Sequence, residues 1–380
     1  MSHAPSRALE RRHRTIRHAL AELGLEALVV TSLPNVLYLT NFTGSAAIAI
    51  LTADHLHFVT DFRYLTTVQE TQASESACAG LDLIRVEGSY DAALAGVLAS
   101  LPITRVGFEA SHLTVSRHQW LARALPRGAS SGPELVPTEG IVERARVVKD
   151  DYEIATLREA ARRLSAVARE AVHEVRVGRS EEEVAHAIDA RILNAGFSKT
   201  AFDTIVAGGP NAALPHAHPG KRTLGEGDLV VLDFGGVYDS YCVDLTRTVS
   251  VGRAGERARE VYAAVLEAHD RAIAAVAPGA SRFDIDAAAR STLAGHGLAE
   301  AFGHGTGHGL GVEVHEDPRV TRRHPEVDGR DEAVKPGMVF TIEPGAYLPT
   351  WGGVRIEDDV LVTASGVDVL TDAPTDLIEI

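Results

Sequence analysis

The spacing of hydrophobic residues divides the chain into two parts with different patterns. Between about residues 8 and 137, helical spacing alternates with short apolar runs at 27–31, 46–51 and 55–59. Short apolar runs bounded by turn residues are typical of buried strands. We therefore predict that the first part is an α/β domain with a mixed or parallel sheet.

The second part begins with a long amphipathic helix that starts at Asp151, where apolar residues recur at helical spacing. This spacing indicates a helix that packs one face against a core. A loop rich in Gly, Ser and Pro at 128–133 precedes it, and such loops often separate domains. The pattern predicts a boundary within 140–150, which gives domains 1–145 and 146–380.

The remainder of the second part alternates helices with paired strands. Ser180 and Glu183 have the spacing of a capping box, and Ser281 with Asp284 marks a second helix start. The apolar runs predict strands at 229–234, 243–250, 338–343 and 354–362. Each half of this domain therefore offers helices followed by a strand pair, and each pair contains two carboxylates.

Composition excludes several classes of partner. The chain of 380 residues has 37 basic and 52 acidic residues and a net charge of -15, so its surface repels nucleic acid and anionic lipid. Two cysteines, Cys78 and Cys242, are too few for a disulfide framework. No signal peptide or membrane-spanning run is evident. We expect a cytoplasmic protein with neither nucleic acid nor membrane as its main partner.

Four carboxylates occupy the predicted strand pairs. Asp233 and Glu343 each end an apolar run, and Asp244 and Glu357 lie among apolar residues beyond a turn. An ionised carboxylate in such a place is costly unless a cation or strong donors compensate it. An ion pair or a helix cap usually explains one buried acid, but four in matching positions favour hard divalent cations.

Histidines surround these carboxylates in the sequence. His304 and His308 lie four positions apart in a glycine-rich loop, where glycines permit positive φ and close backbone approach. His308 has glycine on both sides and lies beside the carboxylate cluster, which makes it a better ligand candidate than most histidines. His315 follows in 313–316 and His216 lies in 214–219. We interpret the other histidines, including His13, His18, His55 and His173, as surface or helix residues.

Four carboxylates and one imidazole suit two metal ions a few Å apart. Such a pair acidifies water at neutral pH and stabilises a developing oxyanion. Neutral histidines nearby can donate to that oxyanion or transfer a proton to a leaving nitrogen. The residues alone therefore predict a hydrolase with two metal ions.

The chain resembles the pita-bread metallopeptidases, within the branch of aminopeptidase P and prolidase. The segments that carry the resemblance follow in the family's order, at 202–206, 208–211, 215–216, 232–235, 244–248, 304–316, 341–345 and 353–358. A looser similarity covers 35–40 and 60–64 in the first domain. The resemblance implies a creatinase-like α/β N-terminal domain and an α+β pita-bread catalytic domain.

The resemblance also implies the metal ligands. Asp233 chelates one metal, Asp244 and Glu357 bridge both, and His308 with Glu343 completes the second. Glu343 is in addition the general base for the bridging water. The implied cofactors are two divalent ions, with Mn2+ preferred over Co2+ or Zn2+ for so oxygen-rich a site.

Further roles follow from the same resemblance. His216 and His315 match histidines that contact substrate and stabilise the intermediate, and His304 matches one near a pocket for proline. Arg355 either holds Glu357 or faces the substrate carboxylate.

The implied activity is hydrolysis of Xaa-Pro bonds, releasing the first residue of peptides with proline in second position. A prolidase restricted to Xaa-Pro dipeptides is the alternative. A metal-free creatinase-like hydrolase and a non-catalytic binding module fit less well, because both lack part of the ligand set. Members of this branch are commonly homodimers, so we expect a homodimer.

Overall fold

A computed structural model describes residues 3–125, 132–323 and 332–380. The chain forms two compact units, Met1–Arg146 and Val147–Ile380. Residues 128–131 of the predicted loop lie outside the described residues. Within the described ranges, no helix is both long and apolar enough to cross a membrane.

The first unit is built on a six-stranded sheet in the order β4-β3-β2-β1-β5-β6. Its strands are β1 (Ala27–Val30), β2 (Ile48–Thr52), β3 (Leu56–Thr60), β4 (Leu81–Arg85), β5 (Arg105–Glu109) and β6 (Glu134–Thr138). The pairs β1–β2 and β2–β3 are antiparallel, and the other pairs are parallel. The prediction of an α/β domain is therefore confirmed, and the sheet is mixed.

Helices accompany this sheet and provide its core. They are α1 (Ser6–Glu22), α2 (Leu33–Thr40), α3 (Leu65–Gln72), α4 (Tyr90–Ser100), α5 (Val115–Ala124) and α6 (Ile141–Val147). Apolar residues from α4 and α5 pack with the inner strands, as Leu94, Leu121 and Val29 illustrate. His13 lies on α1, as predicted for a helix residue, but it is buried rather than on the surface.

Four α-helices support the second unit within its described residues. They are α7 (Asp151–Ala171), α8 (Glu181–Asn194), α9 (Glu256–Ala275) and α10 (Arg282–Gly295). Asp150 caps α7 in a capping box with Glu153, and Ser180 caps α8 in the predicted box with Glu183. The caps satisfy backbone N–H groups that a helix start leaves without partners.

The described strands of the second unit form two five-stranded sheets and one hairpin. The strands are β7 (Lys199–Thr200), β8 (Ile205–Gly208), β9 (Leu229–Tyr238), β10 (Tyr241–Ser250), β11 (Gly307–Gly309), β12 (Glu316–Val320), β13 (Val339–Ile342), β14 (Gly345–Leu348), β15 (Gly352–Arg355), β16 (Asp358–Val362), β17 (Val367–Val369) and β18 (Ile378–Glu379). One sheet contains β18-β10-β9-β7 with β8 beside β9, and the other has the order β12-β11-β13-β16-β17. The predicted α+β class is confirmed.

The predicted strand at 354–362 is wrong in one respect, because it is two strands. β15 ends at Arg355 and β16 begins at Asp358. Between them, Glu357 leaves the ladder and forms an isolated bridge with Thr246 of β10. Its backbone N–H donates to the Thr246 carbonyl oxygen at 3.1 Å. This break joins the two sheets at the position of one predicted ligand.

Candidate metal centre

The hairpin of β9 and β10 brings Asp233 and Asp244 to one side of its sheet. Asp244 lies opposite Gly235, and Thr246 lies opposite Asp233. Side chains alternate between the faces of a strand, so positions 233 and 235 share a face, and Asp244 shares that face with them. The spacing of eleven residues (244 − 233) therefore places the two carboxylates as diagonal neighbours across the hairpin.

A second register brings Glu343 and Glu357 together. Ile342 of β13 lies opposite Asp358 of β16, so Glu343 and Glu357 are the next residues beyond this pair. Farther along, Gly345 lies opposite Arg355 in the β14–β15 hairpin. The two glutamates thus occupy the gap between two ladders, where side chains can converge on a ligand.

His308 comes from β11, a short strand that approaches its neighbours very closely. A Cβ at Gly307 would overlap the Thr341 carbonyl oxygen, and one at Gly309 would overlap the Asp317 carbonyl oxygen. Positive φ is absent from 303–311. The flanking glycines are therefore needed for close approach and not for a left-handed backbone.

These elements gather a group of side chains with metal-ligand chemistry. Single ligand atoms of Asp244, His308 and Glu357 lie within 4.8 Å of one another, and all three residues are buried. The Nε2 atom of His308 lies 4.0 Å from an Asp244 carboxylate oxygen and 3.7 Å from a Glu343 carboxylate oxygen. Asp233 lines the same cavity.

The tautomer and protonation state of His308 are those of a metal ligand. Its Nδ1 atom lies 3.1 Å from the Gly309 carbonyl oxygen, so Nδ1 carries the proton and Nε2 presents a lone pair to the carboxylates. Burial lowers the pKa of His308 to about 3. The imidazole is therefore neutral at physiological pH and able to coordinate.

The electrostatics of the buried carboxylates favour binding of cations. Burial, followed by the charge of Glu357, raises the pKa of Asp244 well above its usual range. Burial and the charge of Glu343 raise the pKa of Glu357 likewise, and burial raises that of Glu343 to about 7. Among the described residues, Asp233 Oδ1 and Asp244 Oδ1 are buried without a hydrogen-bond donor. Divalent cations would relieve both the repulsion and the missing contacts.

Arg355 and Tyr347 connect this group to His304. The Arg355 guanidinium donates to Asp233 and to the Tyr347 hydroxyl at 2.8 Å. The distance from the Tyr347 hydroxyl to Nε2 of His304 is 2.9 Å, and Nδ1 of His304 lies 2.8 Å from the Gly305 carbonyl oxygen. Nδ1 therefore carries the His304 proton, and Tyr347 donates to Nε2.

One cavity of about 490 Å³ contains every residue proposed for chemistry. The five ligand candidates line it together with His216, His304, His315 and Arg355. The rings of His308 and His315 have centroids 4.3 Å apart. Burial lowers the pKa of His304 to about 4 and lowers that of His315 as well.

Two residues of the site were missed in the sequence. Tyr347 hydrogen-bonds to Arg355 and His304, and burial raises its pKa to about 12. Arg319 lines the cavity, and its charge contributes to lowering the pKa of His315. The alternation of β12 could have indicated Arg319, but only the fold places Tyr347 beside His304.

Comparison with known proteins gives matches over both units. Metallopeptidase family M24 matches residues 155–364, and the Creatinase/Prolidase N-terminal domain matches residues 12–148. The uncharacterized peptidase YqhT of Bacillus subtilis is 37% identical over 363 residues, which span 96% of this chain and 98% of that protein.

Solved structures show the same architecture. The Xaa-Pro dipeptidase from Bacillus anthracis has a TM-score of 0.90 at 35% identity, covering 98% of this chain and 100% of that one. The X-Pro aminopeptidase from Thermotoga maritima MSB8 has a TM-score of 0.85 at 29% identity, covering 97% and 99%. With a family match over more than half of its length and a relative that aligns from end to end, this chain belongs to metallopeptidase family M24.

Proposed function

We propose that this metallopeptidase hydrolyses Xaa-Pro bonds with two divalent metal ions and releases the first residue of peptides with proline in second position. One observation carries the proposal: the four candidate carboxylate ligands and the neutral imidazole of His308 line a cavity that four further histidines also line. The names of the two solved relatives described above support the choice of bond.

The proposed ligands divide between two ions. Asp233 would hold one ion, Asp244 and Glu357 would bridge both, and His308 with Glu343 would hold the other. Bound there, the ions would supply an acidified water and polarise the scissile carbonyl. Mn2+ is our first choice because oxygen atoms dominate this donor set.

The surrounding residues supply proton transfer and orientation. Glu343, which lines the cavity, would accept a proton as general base. His216 and His315 are exposed on the cavity wall, where an imidazole N–H can donate to the developing oxyanion and an imidazolium can pass its proton to the leaving nitrogen. Arg355 orients Asp233 through its guanidinium.

Proline recognition requires a surface that accommodates a ring and does not depend on a hydrogen bond from the N–H of the scissile bond. A Xaa-Pro bond offers no hydrogen at its nitrogen. His304 has Nδ1 and Nε2 engaged with Gly305 and Tyr347, so its ring presents an apolar face. We propose this ring as one wall of the proline pocket.

The proposal is tested by offering peptides side by side to protein loaded with Mn2+. We expect cleavage of Xaa-Pro-Yaa after the first residue, with little cleavage of Xaa-Ala-Yaa, measured by chromatography of the products. Cleavage of the alanine peptide at an equal rate would contradict proline specificity. Cleavage of Xaa-Pro dipeptides alone would contradict the aminopeptidase form of the proposal.

A dipeptidase is the second candidate, and Arg319 favours it. Its side chain is exposed in the cavity, and no carboxylate within the described ranges forms an ion pair with it. A guanidinium there can bind the free carboxylate of a dipeptide. If the protein is a dipeptidase, the Arg319→Met substitution should lower kcat/KM for Xaa-Pro by about tenfold more than it lowers kcat/KM for Xaa-Pro-Yaa. An equal loss for both peptides would contradict it, and exposed Arg271→Met on α9 serves as the control.

Two other functions remain to be separated by metal analysis. A metal-free creatinase-like hydrolase and a non-catalytic binding module would both dispense with part of the ligand set, whereas all five ligand candidates are present here. We expect purified protein exposed to Mn2+ to retain about two ions per chain, as measured by elemental analysis. Retention of no metal would favour one of these alternatives.

A further inference from the structure

Helix α10 contains an ion pair that lies outside the ligand set but contacts the loop before β11. Asp286 and Arg290 are one helical turn apart, and Arg290 Nε donates to the Asp286 carboxylate at 2.6 Å. The Asp286 side chain is 2% exposed and the Arg290 side chain 16%. Such a buried pair is weak evidence for stability, because desolvation offsets much of its attraction. Its geometry therefore calls for another explanation.

The carboxylate of Asp286 fixes Thr306, which in turn fixes Glu343. Asp286 Oδ1 accepts from the Thr306 backbone N–H at 3.1 Å and from its hydroxyl at 2.8 Å. The Thr306 carbonyl oxygen then accepts from the Glu343 backbone N–H at 2.7 Å. Thr306 is fully buried, so water cannot replace these contacts. A side chain on α10 is thus two hydrogen bonds away from a proposed metal ligand.

The guanidinium of Arg290 fixes the preceding part of the same loop. It donates to the Phe302 carbonyl oxygen at 3.1 Å and to the His304 carbonyl oxygen. It also lies over the Phe302 ring, 4.2 Å from the centroid. A planar guanidinium can satisfy a carboxylate and two carbonyls together, which an ammonium group cannot do.

We propose that Asp286 and Arg290 are positioning residues that hold segment 302–306, and through it His304 and Glu343, in the geometry needed for hydrolysis. Neither residue lines the cavity, so both act through the loop. Residues that support a site in this way commonly change activity by about 10- to 100-fold when they are removed. The kinetic consequence rests on the proposed peptidase function, whereas the effect on the loop does not.

The variants separate positioning from general stability. Arg290→Met retains the aliphatic part of the side chain and removes every hydrogen-bond donor. Arg290→Lys retains the positive charge but loses the planar guanidinium, and Asp286→Asn retains the size of the side chain but removes its negative charge. The control is Arg179→Met. Arg179 also pairs with a carboxylate and donates to two backbone carbonyl oxygens, those of Glu174 and Glu183, and it does not line the cavity.

Amide hydrogen exchange of segment 302–308 is the first readout, measured in the full chain with Mn2+ and with a chelator. We expect faster exchange in Arg290→Met and Asp286→Asn, partial recovery in Arg290→Lys, and no change in the Arg179→Met control. Unchanged exchange in Arg290→Met and Asp286→Asn would overturn the proposal, whatever the activity of the wild type.

Kinetics on Xaa-Pro-Yaa is the second readout. We expect kcat to fall by about 10- to 100-fold in Arg290→Met while the thermal midpoint falls no more than in the control. The double variant Asp286→Asn/Arg290→Met should lose no more than the worse single variant, because the pair acts as one unit. Full additivity, or a loss that follows only the folded fraction, would overturn the positioning role. A wild type without activity would refute the proposed function and leave the exchange result to decide this inference.

Discussion

At Asp244 and Glu357, folding buries two carboxylates that carry the same charge when ionised. Burial raises the pKa of each well above its usual range, and the charge of Glu357 adds to the shift at Asp244 as that of Glu343 does at Glu357. One strong hydrogen bond offsets part of the cost, since the Thr246 hydroxyl donates to Glu357 at 2.6 Å. Burying these carboxylates lowers the stability of the fold, and residues with such perturbed pKa values are typical of functional sites.

His308 allows the metal assignment to be tested at a single residue. In His308→Ala we expect loss of hydrolysis and at least about tenfold weaker Mn2+ binding, because the only imidazole in the proposed ligand set is removed. Titration calorimetry measures the metal affinity, and circular dichroism verifies folding. His173→Ala, at an exposed position, should behave as wild type. Retained activity in His308→Ala would refute the site assignment.

His13 makes the first unit sensitive to acid. It is 1% exposed, its Nε2 atom lies 2.8 Å from the Leu39 carbonyl oxygen, and burial lowers its pKa to about 4. The unfolded chain, with a pKa near 6.5 at this histidine, binds the proton first as the pH falls. The contribution of neutral His13 to the free energy of unfolding should therefore be fully present above pH 6.5 and should decline as the pH falls towards 4.

The matched variants are His13→Gln and His18→Gln on the same helix, where His18 is exposed. Between pH 7 and pH 5, we expect His13→Gln to lose about 2 kcal/mol less of its unfolding free energy than the wild type. His18→Gln should follow the wild type. Urea unfolding in a Trp351→Phe background, where Trp120 alone reports on the first unit, measures the difference. Equal losses in all three proteins would show that His13 does not cause the sensitivity.

At Gly307 and Gly309, the packing of β11 leaves no room for a side chain. Gly307→Ala places a Cβ against the Thr341 carbonyl oxygen, and that oxygen belongs to a strand that cannot move independently. We expect this variant to lose about 1–3 kcal/mol of unfolding free energy and to bind Mn2+ more weakly, since His308 follows directly. Thermal unfolding and metal titration measure the two effects.

Gly303→Ala is the control for this element. It lies in the same loop, and a Cβ there meets nothing within 4 Å. Its stability and metal affinity should match those of the wild type. If Gly307→Ala were equally harmless, close approach would not explain the glycines around His308.

At the scale of the whole molecule, the two units have separate cores. Apolar residues of the first unit pack around its sheet, and the described apolar residues of the second unit form two large clusters and a small one. The formal net charge of -15 includes carboxylates that bound cations would neutralise. With both proposed ions bound, the charge at the surface would be smaller in magnitude than the formal sum.

The oligomeric state is a prediction at this scale. We propose a homodimer from the resemblance to aminopeptidase P and prolidase. Light scattering during size-exclusion chromatography should then give about twice the chain mass of 40.5 kDa. A mass equal to one chain at micromolar concentration would contradict the dimer.

The sequence by itself determined the fold class and the candidate chemistry of this protein. Apolar runs that end in Asp233 and Glu343 place carboxylates at the ends of buried strands whatever the topology. Because burial of an unpaired charge is costly, such positions indicate a compensating cation or strong hydrogen-bond donors. The capping box at Ser180 is equally local, since one helical turn contains all of its hydrogen bonds. Such signals lie within a few residues of one another, so they can be recognised without the fold.

Only the tertiary structure decided which residues meet. Glu357 leaves its strand to bridge Thr246, more than a hundred positions away, and no local pattern marks that break. Tyr347 reaches His304, and Asp286 reaches Thr306, through contacts between elements that are distant in sequence. Long-range contacts depend on register and packing, which a pattern of hydrophobic positions leaves open. The residues capable of the chemistry were therefore evident in the sequence, while the residues that hold them in place were not.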